Sequence, residues 1–304
     1  MTFPVKLVAI DIDGTLLPAV GKEISLRNRR ALLEAEAAGV EIVIATGRRQ
    51  AYSVPLIHPV GLKPATVMIT SNGTVTRTLG TPVLGGERID RFTLPVETAR
   101  ELCPILRQFG ATTVFTFDRE GPGELVLESM EQVGARISVW VKANQAWIEE
   151  VRPLERAFDS GEAPVQGMVC GTVAEMQRAE LWLSASEISR KIEMHRTEYP
   201  GRDLTILDIL PPGCSKGVAL DRLARRRGID RRSVMAIGDN FNDLEMLRFA
   251  GQPVVMANGA PDLVIMAEQM GWRIAPGNDE DGVAQILESV LESIGVQSGD
   301  RSLP

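Results

Sequence analysis

The sequence contains few of the residues that build disulfide, zinc or histidine-based sites. Its 304 residues include three cysteines and two histidines. Cys103, Cys170 and Cys214 are far apart and none belongs to a CxxC pair, so neither a disulfide framework nor a zinc site is expected. This cysteine usage is typical of a reducing compartment, and we expect the protein to be cytoplasmic.

The sequence also lacks long apolar runs and an excess of basic residues. No apolar stretch approaches the roughly 20 residues that span a bilayer, and the short apolar run near the amino terminus meets an acid at Asp11, unlike a signal peptide. Lysine and arginine total 33 against 40 aspartates and glutamates, which gives a formal charge of −7. We therefore expect neither nucleic acid nor a membrane as a partner.

Strand and helix patterns alternate at both ends of the chain. Apolar runs indicate buried strands, and amphipathic segments between them indicate helices, the first with Ser25 as N-cap and Gly39 just beyond its end. Such alternation predicts an α/β core with a doubly wound parallel sheet, covered by helices on both faces. The segments are "KLVAID", "SLRNRRALLEAEAAG", "VEIVIAT" and "ATVMIT", then "SKGVALDRLARRRG", "SVMAIGD", "DLEMLRFAG", "PVVMANG" and "DGVAQILESVLESIG".

The middle of the chain has a different pattern. Several segments alternate polar and β-branched residues, as half-exposed strands do, and two others look helical. We therefore predict a Rossmann-like core made of residues 1–81 and 204–304, with an α+β domain of residues 82–203 inserted into it. The segments are "RIDRFTL", "TTVFTF", "ELVLESM", "KIEMHRTEY" and "DLTILDIL" as strands, with "VETARELCPILRQFG" and "TVAEMQRAELWLS" as helices.

Polar residues follow the predicted core strands at the point where each strand ends. Ligands of open parallel sheets bind beyond the carboxyl ends of the strands, so these residues are the candidates for chemistry. They are Asp11 and Asp13 after the first strand, Thr46, Gly47 and Arg48 after the second, and Asp239, Asn242 and Asp243 after a late one, with Lys216 opening the helix before it.

Each of these signals alone has an ordinary structural explanation. Asp11 to Gly14 could form an acidic turn, and Thr46 could simply cap a helix. Lys216 could be a surface lysine, and Asn242 or Asp243 could serve only as an N-cap. Arg48 could contact a substrate or pair with an acid.

Together the same residues indicate a more specific site. Carboxylates brought to one sheet edge are costly to desolvate unless positive charge answers them. Several acids with a hydroxyl and a lysine form the hard-oxygen site that Mg²⁺ prefers, and a phosphate would complete its shell. The sequence thus predicts a Mg²⁺ and phosphate site.

Four short motifs resemble, in order and spacing, those of the haloacid dehalogenase-like hydrolases. They are "DIDGT" (11–15), "TGR" (46–48), "GCSKG" (213–217) and "GDNFND" (238–243). Further matches, "TSNGT" (70–74), "VVMANGAPD" (254–262) and "NDEDGVA" (278–284), resemble the Cof-type phosphatase branch. "MANG" stands where "GNA" is more usual, and Phe241 is bulky for its motif, but neither change removes a ligand.

The resemblance implies a role for each residue that matches a motif. Asp11 would be the nucleophile and would form an aspartyl-phosphate, while Asp13 would act as general acid and base. The implied metal-binding residues are Asp11, Asp13 through its backbone carbonyl, Asp239, and Asp243 from a second layer. The implied phosphate- or substrate-binding residues are Thr46, Gly47, Arg48, Asn72, Lys216 and Asn242; Lys216 is also counted as catalytic.

The resemblance implies a Mg²⁺-dependent phosphatase of a small phosphorylated metabolite, such as a sugar phosphate, acting as a monomer or small homo-oligomer. The insert would be a cap that closes over the core and excludes bulk water. Two alternatives remain open. A phosphomutase could use the same pair, Asp11 and Asp13, and a catalytically idle protein could keep the core to bind a phosphorylated ligand.

Overall fold

The computed structural model describes residues 3–21, 23–109, 112–131, 133, 137–199 and 203–299. The strands are β1 Leu7–Ile10, β2 Glu41–Ala45, β3 Val67–Thr70, β4 Val75–Thr78, β5 Arg88–Arg91, β6 Thr112–Thr116, β7 Leu125–Leu127, β8 Ile148–Glu150, β9 Gln166–Gly171, β10 Glu193–Tyr199, β11 Leu204–Leu210, β12 Val234–Gly238, β13 Gln252–Met256 and β14 Arg273–Ala275. The helices are α1 Leu26–Ala37, α2 Gln50–Ile57, α3 Val96–Arg107, α4 Ser138–Asn144, α5 Val173–Ala185, α6 Lys216–Arg227, α7 Leu244–Phe249, α8 Pro261–Gln269 and α9 Gly282–Gly299.

The chain divides into two compact units. The first comprises Met1–Asp90 and Ser215–Pro304, and the second comprises Arg91–Cys214. The second unit is therefore continuous in sequence and interrupts the first. The predicted domain boundaries at 81/82 and 203/204 stay a prediction.

The first unit is built on an eight-stranded sheet with the order β14-β13-β12-β1-β2-β3-β4-β5. The strands from β14 to β3 pair in parallel, and β4 pairs antiparallel with β3. Strand β1 lies between β12 and β2, so the carboxyl ends of three neighbouring strands meet at one edge. The predicted α/β class with a parallel-sheet core is confirmed.

Strand β1 shows why the core strands are apolar throughout. Val8 and Ile10 pack into one core cluster, which α1 and α9 cover, whereas Leu7 and Ala9 pack into another, which α6, α7 and α8 cover. All four side chains are fully buried. Because successive side chains point to opposite faces, a strand covered on both faces needs an apolar residue at every position.

The second unit has a six-stranded sheet with the order β10-β11-β9-β6-β7-β8. Its pairings are antiparallel except for β7 with β8. Helices α3 and α5 pack on one face through Leu102, Leu106 and Leu183, against Phe115 and Leu207 of the sheet. Among the residues that the structure describes, no helix is long and apolar enough to cross a bilayer.

Several details differ from the sequence-based prediction, and the elements that were not predicted are α2, α4, α8, β4, β8, β9 and β14. The segment "RIDRFTL", grouped with the insert, contributes β5 to the sheet of the first unit. Helix α8 and strand β14 were not predicted, because α8 begins inside the "VVMANGAPD" motif and β14 has only three residues. A strand of three residues carries too few positions for an alternating pattern to be visible.

Helices α1 and α9 are joined by a hydrogen bond that caps α9. Ser25 caps α1 as predicted, with its side chain accepting from the Asn28 amide, and Gly39 follows the helix with φ of +87°. The buried side chain of Asn28 then accepts a hydrogen bond of 2.8 Å from the backbone N–H of Ala284. That N–H lies in the first turn of α9, where no earlier helical carbonyl is available.

We expect Asn28→Ala to lower the free energy of unfolding by about 1–3 kcal/mol, because the Ala284 amide would be left buried without a partner. Urea denaturation measures the change. Arg30→Ala, on the exposed side of the same helix, is the matched control and should cost less than about 1 kcal/mol, because its ion pair with Glu34 is on the surface. Equal stability of Asn28→Ala and wild type would contradict the capping role.

Candidate active site

The loop after β1 carries the first two acids and turns sharply at Gly14. The Asp11 amide continues the sheet by donating to the Ile237 carbonyl over 3.0 Å. Gly14 has φ of +76°, and a Cβ placed on it would lie 2.2 Å from an Asp239 carboxylate oxygen. Only glycine fits this position, so the loop after β1 and the loop after β12 can approach each other.

Three acids from these two loops form one buried cluster. The side chains are Asp11, Asp239 and Asp243, with one carboxylate oxygen of each lying within 4.8 Å of the others. All three are buried, and Asp243 is completely inaccessible. Thr15 donates a hydrogen bond of 3.1 Å to Asp239, an interaction that the sequence analysis missed although Thr15 belongs to the "DIDGT" motif.

Lys216 is the positive charge at the centre of the cluster. It is the first residue of α6, which Ser215 caps, and its side chain is fully buried. The Lys216 Nζ donates to Asp11 Oδ1 over 2.7 Å and to Asp243 Oδ1 over 2.6 Å. The reading of Lys216 as a surface lysine is therefore wrong, since its ammonium group is held between two carboxylates.

Asp243 holds the loop after β12 as well as Lys216. Its Oδ2 accepts hydrogen bonds from the backbone amides of Asp239, over 3.0 Å, and Asn240, over 3.2 Å. Gly238 just before them has no side chain, and a Cβ there would lie 2.6 Å from the Asp243 carboxylate. Both oxygens of Asp243 are thus engaged by protein groups, which fixes its orientation.

The electrostatics of the cluster show an excess of negative charge. Burial raises the pKa of Asp11 to about 7, because the attraction of Lys216 offsets only part of the desolvation and the other acids repel it. Burial and the same repulsion raise the pKa of Asp239 well above its ordinary value. Burial opposes the charge on Lys216, but its two carboxylate partners raise its pKa, so the ammonium stays protonated.

This donor set fits a divalent cation. Among the described residues the cluster has three carboxylates and one ammonium, which leaves two formal negative charges uncompensated. Carboxylate oxygens are the ligands that Mg²⁺ and similar hard cations prefer. A cation here would favour the charged forms of Asp11 and Asp239, whose pKa values are otherwise raised.

Asp13 lies outside the buried cluster and pairs with Arg48. Its side chain is 44% exposed, and both oxygens accept from the guanidinium: Arg48 Nε donates to Oδ2 over 2.6 Å, and Nη2 donates to Oδ1. The guanidinium also lies over the ring of Tyr52, 4.7 Å from its centre. Arg48 was expected either to contact a substrate or to pair with an acid, and in the structure it pairs with Asp13.

The remaining predicted residues lie on three loops of the first unit, after β2, β3 and β12. Thr46 is buried after β2, and its hydroxyl accepts from the Arg48 amide over 3.1 Å. A Cβ on Gly47 would lie 3.1 Å from the side chain of Asn72. The side-chain Nδ2 of Asn242 donates to Oδ1 of Asn72 over 3.3 Å. Gly47, Asn72 and Asn242 are thus neighbours.

The Asn72 loop is held in an unusual backbone conformation. Ser71, Asn72 and Gly73 have φ values of +47°, +52° and +95°, in the left-handed region that non-glycine residues rarely adopt. A Cβ on Gly73 would lie 2.2 Å from the Ser215 carbonyl, so the loop packs against the start of α6. Backbone strain of this kind is often kept at functional sites.

The chain was compared with known proteins. The model of the haloacid dehalogenase-like hydrolase family matches residues 8–287. The phosphatase YwpJ of Bacillus subtilis is 27% identical over 94% of this chain and 100% of its own length, and the 5-amino-6-(5-phospho-D-ribitylamino)uracil phosphatase YwtE of the same organism is 28% identical over 94% and 98%.

A solved structure shows the same fold. A haloacid dehalogenase-like hydrolase from Bacteroides thetaiotaomicron has a TM-score of 0.74 and 27% identity, and the match covers 94% of this chain and 99% of that one. The match extends over both compact units, since it covers nearly all of each chain. The family predicted from the four motifs is confirmed, and the chain belongs to the haloacid dehalogenase-like hydrolases.

Proposed function

We propose that this protein is a divalent-cation-dependent phosphatase that hydrolyses phosphoric monoesters of small metabolites through an aspartyl-phosphate on Asp11. The buried cluster is the observation that carries the proposal. Lys216 positions the carboxylate of Asp11, and the cluster as a whole contains more negative than positive charge. Two relatives that match this chain over almost their whole length are named as phosphatases, which supports the same enzyme class.

Asp11 is placed to act as the nucleophile. Its Oδ1 is held by Lys216, which fixes the orientation of the carboxylate and favours its charged form. Attack by Asp11 on phosphorus forms an acyl phosphate, and the bond from phosphorus to the leaving oxygen breaks. Asp239, Asp11 and the backbone carbonyl of Asp13 would hold Mg²⁺. The bound cation would offset the charge of the carboxylates and of the phosphoryl oxygens.

Asp13 is the group that would move protons. Its side chain is partly exposed, unlike the three acids of the cluster, and to transfer a proton it must exchange one of its hydrogen bonds with Arg48. As an acid, Asp13 gives a proton to the leaving oxygen, and as a base it then takes a proton from the water that attacks the aspartyl-phosphate. Phosphate leaves and both carboxyl groups return to their starting forms.

The proposed substrate class is a sugar phosphate or a similar polyol phosphate. YwtE is named for a substrate with a phosphorylated ribityl chain, which supports this class, whereas another relative, 28% identical, is named for a different substrate, as an HMP-PP phosphatase in Serratia proteamaculans. A panel of phosphorylated sugars, polyols, nucleotides and cofactors, ranked by kcat/KM with Mg²⁺ and with EDTA, tests this. No hydrolysis of any ester, with any divalent metal, would contradict the proposed activity.

The two acids after β1 should have separable roles. We expect Asp11→Asn to lower the rate of p-nitrophenyl phosphate hydrolysis by at least about 10³-fold, because no nucleophile remains. Asp13→Asn should lower it by about 10²–10⁴-fold while Mg²⁺ still binds, because only proton transfer is lost. Steady-state kinetics and Mg²⁺ titration measure the two effects.

Asp221→Asn is the matched control for both variants. Asp221 lies on α6 of the same unit and pairs with Arg225 on the surface, so its loss should leave the rate nearly unchanged. Full activity of Asp11→Asn would rule out the covalent route. Loss of Mg²⁺ binding in Asp13→Asn would mean that its side chain is needed for the cation.

We expect Arg48→Ala to lower kcat by about tenfold or more with little change in KM, because Asp13 would lose the bidentate pairing that orients it. Arg48→Lys should recover only part of the rate, since a lysine keeps the charge but cannot bind both oxygens in the same way. A raised KM with unchanged kcat would instead assign Arg48 to substrate binding.

The stability of the metal-free protein should depend on pH through Asp11. Its folded pKa, about 7, lies above the ordinary value of 3.8, so the folded state binds the proton more tightly, and this contribution to stability is lost as pH rises towards 7. In EDTA at pH 8, the melting temperature of wild type should therefore be lower than that of Asp11→Asn. The difference in melting temperature should become smaller towards pH 5. Thermal melting of both proteins across this range measures it.

Added Mg²⁺ gives the complementary test. Because the cation binds ionised carboxylates, it should raise the melting temperature of wild type more at pH 8 than at pH 6. Asp11→Asn should show a smaller increase at both pH values. An equal Mg²⁺ effect on the two proteins would show that Asp11 is not part of the cation site.

A further inference from the structure

A cleft lies at the amino ends of strands in the first unit's sheet, whereas the acid cluster lies at their carboxyl ends. It has a volume of about 540 Å³ and is lined by residues at the amino ends of β12, β13 and β14 and at the ends of α7 and α8. Asp239 follows the carboxyl end of β12. A strand rises about 3.3 Å per residue, so the five residues of β12 put roughly 16 Å between the cleft and the acid cluster.

The cleft is positively charged in a negatively charged protein. Its lining includes Arg231, Arg248 and Arg273 and contains neither aspartate nor glutamate. The chain as a whole has a formal charge of −7. Three arginines in one concave surface without an acid among the lining residues create a local field that attracts anions.

The hydrogen bonds that these arginines donate go to neutral oxygens and not to carboxylates. Arg231 donates to the Arg248 carbonyl over 3.4 Å, and Arg273 donates to the Ser289 hydroxyl over 3.0 Å. Within the described part of the chain, none of the three forms an ion pair with a carboxylate. Asp230 is adjacent to Arg231, but both of its oxygens bind Arg232.

The rest of the cleft is lined by apolar side chains, including an aromatic ring, and by the polar side chain of Gln252. Met235 and Val254 lining it are buried, and Trp272 and Met270 contribute partly exposed surface. Arginine side chains with an aromatic ring suit an anion that also carries a flat organic group. The volume lies within the range of about 300–1,000 Å³ that is usual for small-molecule sites.

We propose that this cleft binds an organic polyphosphate of nucleotide size, with the phosphates on Arg231, Arg248 and Arg273 and the organic group against Trp272 and Met270. The site is separate from the acid cluster, and binding there does not depend on the proposed phosphatase activity. Guanidinium groups recognise phosphate oxygens through paired N–H donors.

The test uses ATP and isothermal titration calorimetry in EDTA at about 0.1 M salt. Without a divalent cation the acid cluster repels anions, so binding reports on the cleft. We expect ATP to bind with a dissociation constant below about 1 mM, tripolyphosphate to bind more weakly, and adenosine to bind weakest of the three. No binding of ATP, or equal binding of ATP and tripolyphosphate, would overturn the proposal.

Arg248→Glu should weaken ATP binding by at least about tenfold, because it reverses one of the three charges in the cleft. Arg225→Glu makes the same change of charge on α6, outside the cleft lining, and should alter binding less than about twofold. Both arginines are on the surface, and thermal melting checks that both variants remain folded. Equal weakening by the two variants would show a general charge effect and would exclude this cleft as the site.

Discussion

The site depends on burying more negative charge than the protein itself neutralises. Asp11, Asp239 and Asp243 are taken out of water around one ammonium group, that of Lys216. Desolvated carboxylates repel each other strongly in a low-dielectric interior, so the arrangement is stable only because the surrounding fold fixes it. The same excess of negative charge makes the cluster a suitable site for a metal ion.

The sheet explains how residues far apart in sequence meet at this point. Strands β1 and β12 are neighbours and run in parallel, so the loops that follow them lie at the same edge. Gly14 removes the side chain that would otherwise collide with Asp239, and Gly217 lets α6 approach α7 closely, since a Cβ there would lie 2.5 Å from the backbone of Glu245. Glycines at these contacts matter as much as the acids, because they permit the approach.

The core was predictable from local patterns, and the acid positions from several motifs taken together, since each motif alone also had an ordinary structural explanation. Fully apolar runs separated by amphipathic helices give a parallel sheet, and the residue after such a strand lies at its carboxyl edge. The pairing of Asp13 with Arg48 was left open, because an arginine near both an acid and a phosphate site has two plausible partners. The left-handed conformation of Ser71 and Asn72 was not predicted; their loop packs against the start of α6 at Gly73, a contact that no local pattern records.

The predicted site residues all lie in the first compact unit, and this has a consequence for specificity. In the proposed function these residues bind the phosphoryl group and a cation, and the phosphoryl group is the same in every phosphoric monoester. YwtE and the HMP-PP phosphatase of Serratia proteamaculans are each 28% identical to this chain and are named for different substrates. Selection among esters must therefore use side chains that contact the leaving alcohol, since the phosphoryl group alone does not distinguish one ester from another.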